Sequence, residues 1–178
     1  MLTVRPITPE DFDPFLSYWY DSDTDFMKAM GVDISKIPSR ANFLALLDRV
    51  IHLPFDQKPG YVLIWELDGA PVGHSNINGI AFGQKASMHL HMWQSGHRKK
   101  GIGTDFVRMC LPHYFEKFQL NELFCEPASG NSAPNKTLPK LGFEYIRTYF
   151  GAPEILMYEQ DVNVYRITRR TVFPKEIR

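Results

Sequence analysis

Along the chain, the spacing of apolar and polar residues switches between two periods. "LTVRPI" alternates and is β-rich, which predicts a first strand. "TPEDFDPFLSYWYD" follows, with Thr8 as an N-cap, Pro9 at the first helical position and acids in the first turn. It predicts a helix, provided that Pro14 sits early in it. "SDTDFMKAMGVD" is polar and mixed, and is expected as a loop. In "SRANFLALLDRVIHL" the residues Phe43, Leu46, Leu47, Val50 and Ile51 recur at helical spacing behind Ser39, a second cap. "GYVLIWELDGAPVGHSNINGI" is two β-rich runs about the pair Asp68-Gly69, a hairpin signal. "ASMHLHMW" predicts another strand.

The second half continues the alternation of element types. "GIGTDFVRMCLPHYFEKF" predicts a helix with Ile102, Phe106, Met109 and Cys110 on one face. Pro112 lies inside it, removes a backbone donor and crowds the carbonyl of Arg108, so a kink is expected there. "NELFCE" predicts a short buried strand, and "NSAPNKTLPKLG" a short helix ended by Gly142. "FEYIRTYF" and "EILMYEQDVNVYRIT" predict two closing strands, and the tail "RRTVFPKEIR" is expected to be loosely held. The expected architecture is α+β (mixed α/β): a central, mostly antiparallel twisted sheet of about seven strands flanked by about four helices. With no internal repeat or linker, residues 1–168 form one expected domain and residues 169–178 a C-terminal tail.

Composition narrows the function classes. The chain has 178 residues, 44% hydrophobic and 22% charged, an ordinary balance for one domain with one sizeable core. Its 20 basic and 20 acidic residues give no global field toward nucleic acid or membrane. Cys110 and Cys125 fit no metal or redox spacing and are expected as buried, reduced thiols. The start "MLTVRPITPED" has no apolar run after its basic residue, and no stretch approaches the roughly 20 apolar residues of a bilayer span. A cytoplasmic protein is expected, with no nucleic-acid, membrane or metal partner.

Against that neutral background, "SGHRKKGIGTDF" places three consecutive cations, Arg98, Lys99 and Lys100, before a Gly-x-Gly turn that opens a helix. A helix N-terminus carries unpartnered N–H groups and a positive dipole end. Gly101 and Gly103 allow unusual backbone angles and remove side chains that would block a ligand. Such a turn can wrap a phosphate in backbone donors, with the cations adding charge around it. A P-loop would need Gly-Lys-Ser/Thr, which is absent, and a dinucleotide fingerprint would need Gly where Phe106 stands. Alone, Arg-x-x-Gly-x-Gly reads more readily as a solvated basic loop before an ordinary helix.

A second segment adds weight. "NSAPNKTLPKLGFEYI" has Asn131 opening a short helix that ends in Lys140-Leu141-Gly142-Phe143. Together with Arg98, Gly101 and Gly103, in that order and joined by a helix and a strand, it resembles the GNAT acetyltransferase superfamily. The similarity is nearest to the ribosomal-protein N-terminal (Rim-type) and related small-substrate branches. It covers roughly residues 2 to 160 and is strongest from 88 to 146. The resemblance implies an N-acetyltransferase that moves an acetyl group from acetyl-coenzyme A to a primary amine by direct attack in a ternary complex. It implies that the amides of Lys99, Lys100, Gly101, Ile102, Gly103 and Thr104 hold the pyrophosphate, and that Arg98, Lys99 and Lys100 attract the phosphates. His91, Met92 and Trp93 would line the pantetheine arm with backbone groups. Asn131 would reach the cofactor, with Asn135 and Lys136 nearby. The bland alternative for these last three is capping and solvation.

The sequence departs from the family pattern at the general acid. Where many members have Tyr, this chain has Leu138; where Rim-type members often have Ser, it has Pro134. For the general base, Ser87, His89 and His91 alternate onto one strand face, and His91 is favoured, with His89 and Glu126 as further candidates. The alternative for each histidine is a satisfied structural role. The wall for the amine is expected from "YWYDSDTDFM", with aromatic Tyr18, Trp19, Tyr20 and Phe26 and acidic Asp21, Asp23 and Asp25. The acceptor is either a peptide or protein N-terminus or a small-molecule amine, and a homodimer is left open.

Two competing readings remain. One is a non-catalytic acyl-coenzyme A sensor on the same fold, which the missing Tyr makes worth carrying. The other is a cupin-like metal-binding barrel through His89 and His91, although the expected Glu after the second His is missing.

Overall fold

In the computed structural model, residues 1–93, 96 and 101–174 are described. The strands are β1 (Leu2–Pro6), β2 (Gly60–Leu67), β3 (Ala70–Ala81), β4 (Lys85–Met92), β5 (Glu122–Cys125), β6 (Glu144–Gly151) and β7 (Gln160–Thr168). They form a single 7-stranded sheet in the order β1-β2-β3-β4-β5-β7-β6. Every neighbouring pair is antiparallel except β4 and β5. The α-helices among the described residues are α1 (Phe12–Tyr20), α2 (Thr24–Ala29), α3 (Arg40–His52), α4 (Ile102–Lys117), α5 (Ser132–Thr137) and α6 (Arg169–Val172).

The strand pattern explains the two cores. Successive side chains of a strand point to opposite faces, so β2 sends Leu63 and Trp65 to one side and Ile64 to the other. On the first side they join Phe106, Cys110, Tyr114 and Phe118 of α4 in the main core. On the second side Ile64 meets Phe12, Phe15 and Leu16 of α1 and Leu47 of α3. The hairpin closes where expected: Asp68 and Gly69 both take left-handed backbone angles, with φ of 52° and 81°, as a tight hairpin turn requires.

Four sequence expectations are corrected. The supposed loop after Tyr20 contains α2, because the Asp23 carboxylate accepts the Phe26 N–H at 2.9 Å and Met27 is buried beneath the turn. β7 begins at Gln160, not Glu154; the residues before it form a strap tied to the α2 region by Asp33 N–H to Leu156 O (2.8 Å) and Tyr158 N–H to Gly31 O (3.0 Å). The chain after residue 168 is not loosely held at its start. It forms α6, Arg169 Nη1 donates to Phe115 O at 2.9 Å, and Val172 and Phe173 pack on the main core. With α2 and α6 added, the helices exceed the four expected. α4 continues as helix through Pro112.

The feature that positions the site is the parallel pair. β4 and β5 are in register only over Lys85↔Glu122, Ala86↔Leu123 and Ser87↔Phe124. β5 then ends at Cys125 while β4 runs on to Met92, so the sheet splits open in its middle.

Candidate active site

The split exposes one edge of β4, and the ladder decides which residues own it. Trp93 N–H donates to Val72 O at 3.0 Å, so residues of odd number on this strand turn their backbone groups to β3. By alternation Met88, Leu90 and Met92 turn theirs into the split. Of the residues expected to line a pantetheine arm, Met92 therefore turns its backbone groups toward the split, whereas His91 and Trp93 spend theirs on β3. Met88 and Leu90 were not among the residues expected there, because that expectation took three consecutive residues without regard to the alternation of backbone groups.

The glycine turn follows β4 in the chain and opens α4. Gly101 is the N-cap of α4 with φ of 81°, a left-handed conformation that favours glycine. A Cβ added at Gly101 or Gly103 would meet no atom within 4 Å, so there is room above both for a ligand. The amides of Ile102 and Gly103 stand in the first turn, where no intrahelical partner exists. The Thr104 amide is different: it donates to Gly101 O at 3.0 Å and is already used. Arg98, Lys99 and Lys100 lie outside the described residues.

α5 follows β5, the strand on the other side of the split. Asn131 caps α5 by position only: its side chain makes no capping bond, and it lines the cleft. Asn135 is a structural residue. Its amide donates to Ala128 O (2.9 Å) and Asn131 O (2.7 Å), and its carbonyl accepts from Asn163 (2.7 Å) and Tyr165 (3.1 Å). Those bonds fill its capacity, so it has nothing left for a cofactor. Lys136 is exposed and does not line the cleft. Leu138, at the family's acid position, is fully buried.

The cleft itself has a volume of about 430 Å³. Toward the closed end of the split it gathers its acid–base groups. His89 Nε2 lies 2.8 Å from Glu154 Oε1 and 3.3 Å from Asn78 Oδ1. Both partners accept, so Nε2 carries a proton, and in the neutral ring the lone pair is on Nδ1. Burial pushes the Glu154 carboxyl up, but bonds and charge from His89, with a bond from Asn78, outweigh it and hold the group below its ordinary value. Glu126 accepts from Tyr149 Oη at 2.7 Å. Cys125 also lines the cleft, but burial first, and the charges of Glu126 and Glu154 second, push its thiol up to about 12. It stays protonated and is a poor nucleophile.

His91 sits in a different setting. Its ring stacks on His74 at 4.5 Å between centroids, and its Nδ1 bonds the Tyr18 hydroxyl at 3.1 Å. His74 in turn accepts from Trp93 Nε1 at 2.7 Å. Burial, and then the charge of His89, pushes His91 down to about 3. It is neutral at all ordinary pH and holds a proton too weakly to take one from an ammonium.

The opposite wall comes from α1 and α3, with Phe15, Trp19, Phe43, Leu46, Leu47 and Val50. Of the wall expected from the first helices, Trp19 is present. Tyr18 is buried behind it, and Tyr20 donates its hydroxyl to Pro38 O. Asp21, Asp23 and Asp25 are exposed and do not line the cleft. The cleft's carboxylates are Glu126 and Glu154 instead. Glu154 carried no sequence signal, because it lies on the strap that was expected to be strand.

The metal-barrel reading falls with the topology: this is an open sheet with a split, and His89 is paired with a carboxylate while His91 is stacked on a second imidazole. Among the described residues no helix is long and apolar enough to cross a membrane.

Comparison with known proteins agrees with this geometry. The sequence model of the acetyltransferase (GNAT) domain matches residues 1–144. The chain belongs to the GNAT acetyltransferase family, whose members transfer an acetyl group from acetyl-coenzyme A to an amine. Its fold is similar to that of spermidine N-acetyltransferase from Vibrio cholerae, solved with CoA and spermine: TM-score 0.78, 16% identity, covering 97% of this chain and 98% of that one. It is also similar to Mycobacterium smegmatis RimJ in complex with CoA-disulfide, with TM-score 0.75, 17% identity, and 95% and 82% coverage. An aminoglycoside acetyltransferase in complex with coenzyme A gives TM-score 0.71, 17% identity, and 99% coverage of both chains.

Proposed function

We propose that this chain acetylates a primary amine directly, with His89 as proton acceptor and Glu154 as the residue that positions it. The observation that carries the reading is the split. β4 carries the His89–Glu154 pair near the closed end of its open edge, and the chain leads on from its other end to the roomy glycine turn at Gly101 and Gly103.

Acetyl-coenzyme A supplies an activated acyl thioester as co-substrate. The amides of Ile102 and Gly103 hold its pyrophosphate, with the cations Arg98, Lys99 and Lys100 near it in sequence. Met88 and Leu90 pair with its pantetheine arm as a neighbouring strand would, and Asn131 approaches from α5. With phosphates at the open end, the thioester comes to the closed end, two residues closer to His89 than to His91. This shifts the base role from His91 to His89. His91, with His74 and Trp93, forms a neutral floor.

His89 takes the proton that the incoming ammonium must lose, through Nδ1 or a water on it. Glu154 fixes the tautomer and favours the imidazolium that forms. The amine then attacks the thioester directly, because the only thiol in the cleft among the described residues, Cys125, stays protonated. No side chain replaces the missing acid at Leu138, so solvent protonates the departing thiolate. A cytoplasmic setting fits two buried cysteines that are unpaired.

The test is calorimetry with acetyl-coenzyme A, followed by thiol release against a panel of amines. Binding with amine-dependent thiol release is expected. Binding without release from any amine would return the protein to the acyl-coenzyme A sensor reading.

A further inference from the structure

The charges and apolar surfaces of the cleft define what kind of amine it takes. Among the described residues that line it, Glu126 and Glu154 are the carboxylates, and both are at one end. Both already have partners: Glu126 holds the Tyr149 hydroxyl at 2.7 Å and Glu154 holds His89 at 2.8 Å. The α3 wall contributes Arg49, a cation. The rest of that wall is aromatic and aliphatic. Phe43 meets the edge of Phe15 at 5.6 Å and lies 6.1 Å from Trp19. Leu46 lines the cleft with 41% of its surface open, although a leucine gains most when covered.

An ammonium can be received once in such a cleft, at the carboxylate end. A second positive charge farther along would leave water for an apolar wall with no counter-ion and would approach Arg49. We infer that the acceptor is a primary amine with a single positive charge on an apolar body, of the arylalkylamine or branched alkylamine class. This inference rests on the acetyl-transfer reading above. Its ammonium lies between Glu126, Glu154 and His89. Its body lies against Trp19, Phe43, Leu46 and Val50. Polyamines and aminoglycosides, the acceptors named for two of the similar structures, carry charge along their length and are disfavoured here.

The experiment compares phenethylamine and isopentylamine with spermidine and kanamycin in the thiol-release assay, using the wild-type chain and Leu46→Asp. Leu46 is partly exposed, so the substitution leaves the fold standing, which its unfolding midpoint checks. In the wild type, kcat/KM for phenethylamine is expected to exceed that for spermidine by about tenfold or more, the scale of a hydrophobic subsite. Leu46→Asp is expected to lower the phenethylamine value and raise the spermidine value, with acetyl-coenzyme A affinity unchanged. A wild-type preference for spermidine or kanamycin, or a ratio that Leu46→Asp leaves unmoved, overturns the acceptor class and leaves acetyl transfer standing. Absence of release from all four amines and from the wider panel, with acetyl-coenzyme A bound, overturns both.

Discussion

Glu154 reaches His89 from a strap on the far side of the cleft, and 2.8 Å separates their facing atoms. Sequence distance hides the pair: one member is on β4, the other lies between β6 and β7. If the pair moves the proton, His89→Ala should lower kcat by about a hundredfold, and Glu154→Gln by about tenfold. Affinity for acetyl-coenzyme A should hold in both. In Glu154→Gln the ascending limb of the pH–rate profile should shift, which a purely structural contact would not cause. A Glu154→Gln enzyme with the wild-type profile and rate would remove Glu154 from the chemistry.

Gly103→Val tests the phosphate turn. An added Cβ has no protein atom within 4 Å, so the fold should keep its stability. The side chain should instead occupy ligand space and weaken coenzyme A binding by about tenfold or more, or at least 1.4 kcal/mol. Calorimetry paired with a denaturation curve reads both halves.

Stability should fall in acid through Asp11. Its side chain is 4% exposed and receives Arg5 through two nitrogens, Nη2 at 2.8 Å, and the Thr8 N–H at 2.9 Å. Burial raises the Asp11 carboxyl, but Arg5 and Thr8 outweigh it and hold the group below its ordinary value. A depressed carboxylate contributes stability above its unfolded pKa of about 4, and the contribution is lost as pH falls through the folded value. Asp11→Asn should therefore cost about 3 kcal/mol at neutral pH, and the gap from wild type should close in acid. Urea midpoints across a pH series measure it.

Gly73→Ala should be costly for a different reason. Gly73 lies opposite Met92 where β3 and β4 come closest, and a Cβ there would stand 2.5 Å from His91 O and 3.1 Å from Trp65. Both obstacles are buried inside the sheet and cannot swing away. A loss of about 1–3 kcal/mol is expected, read from the denaturant midpoint.

The sequence shows those parts of this protein that depend on local rules. Ser39 caps α3, Asp68-Gly69 turns the hairpin, and the alternation of β4 sends His89 and His91 to one face. These follow from spacing or from one residue's conformational preference. α2 was hidden because it is six residues long and depends on one cap, Asp23, whose aspartate neighbours look like loop. The family signature pointed to the glycine turn and Asn131, which the proposal keeps, and to Asn135, whose carbonyl is taken by Asn163 and Tyr165 only once β7 is in place. The acid–base assignment was least legible. His89 and His91 have the same residue type and parity, and what separates them is a carboxylate from one distant segment and a histidine from another.

The split in the sheet has one more consequence. An unpaired strand edge at the margin of a sheet is an invitation to another protein's strand, and proteins guard against it with charges, bulges or covers. Here the backbone edge at Met88 and Leu90 is recessed in the middle of the sheet, between strands that meet at Ser87↔Phe124. A wedge that closes to a point excludes a polypeptide strand, whose side chains stand out on both faces at every second residue. The slender β-alanyl-cysteamine end of a coenzyme A arm, which has no side branches, can still enter. On the binding mode proposed above, width alone keeps a sticky edge open for the co-substrate without offering the same edge to neighbours in a crowded solution.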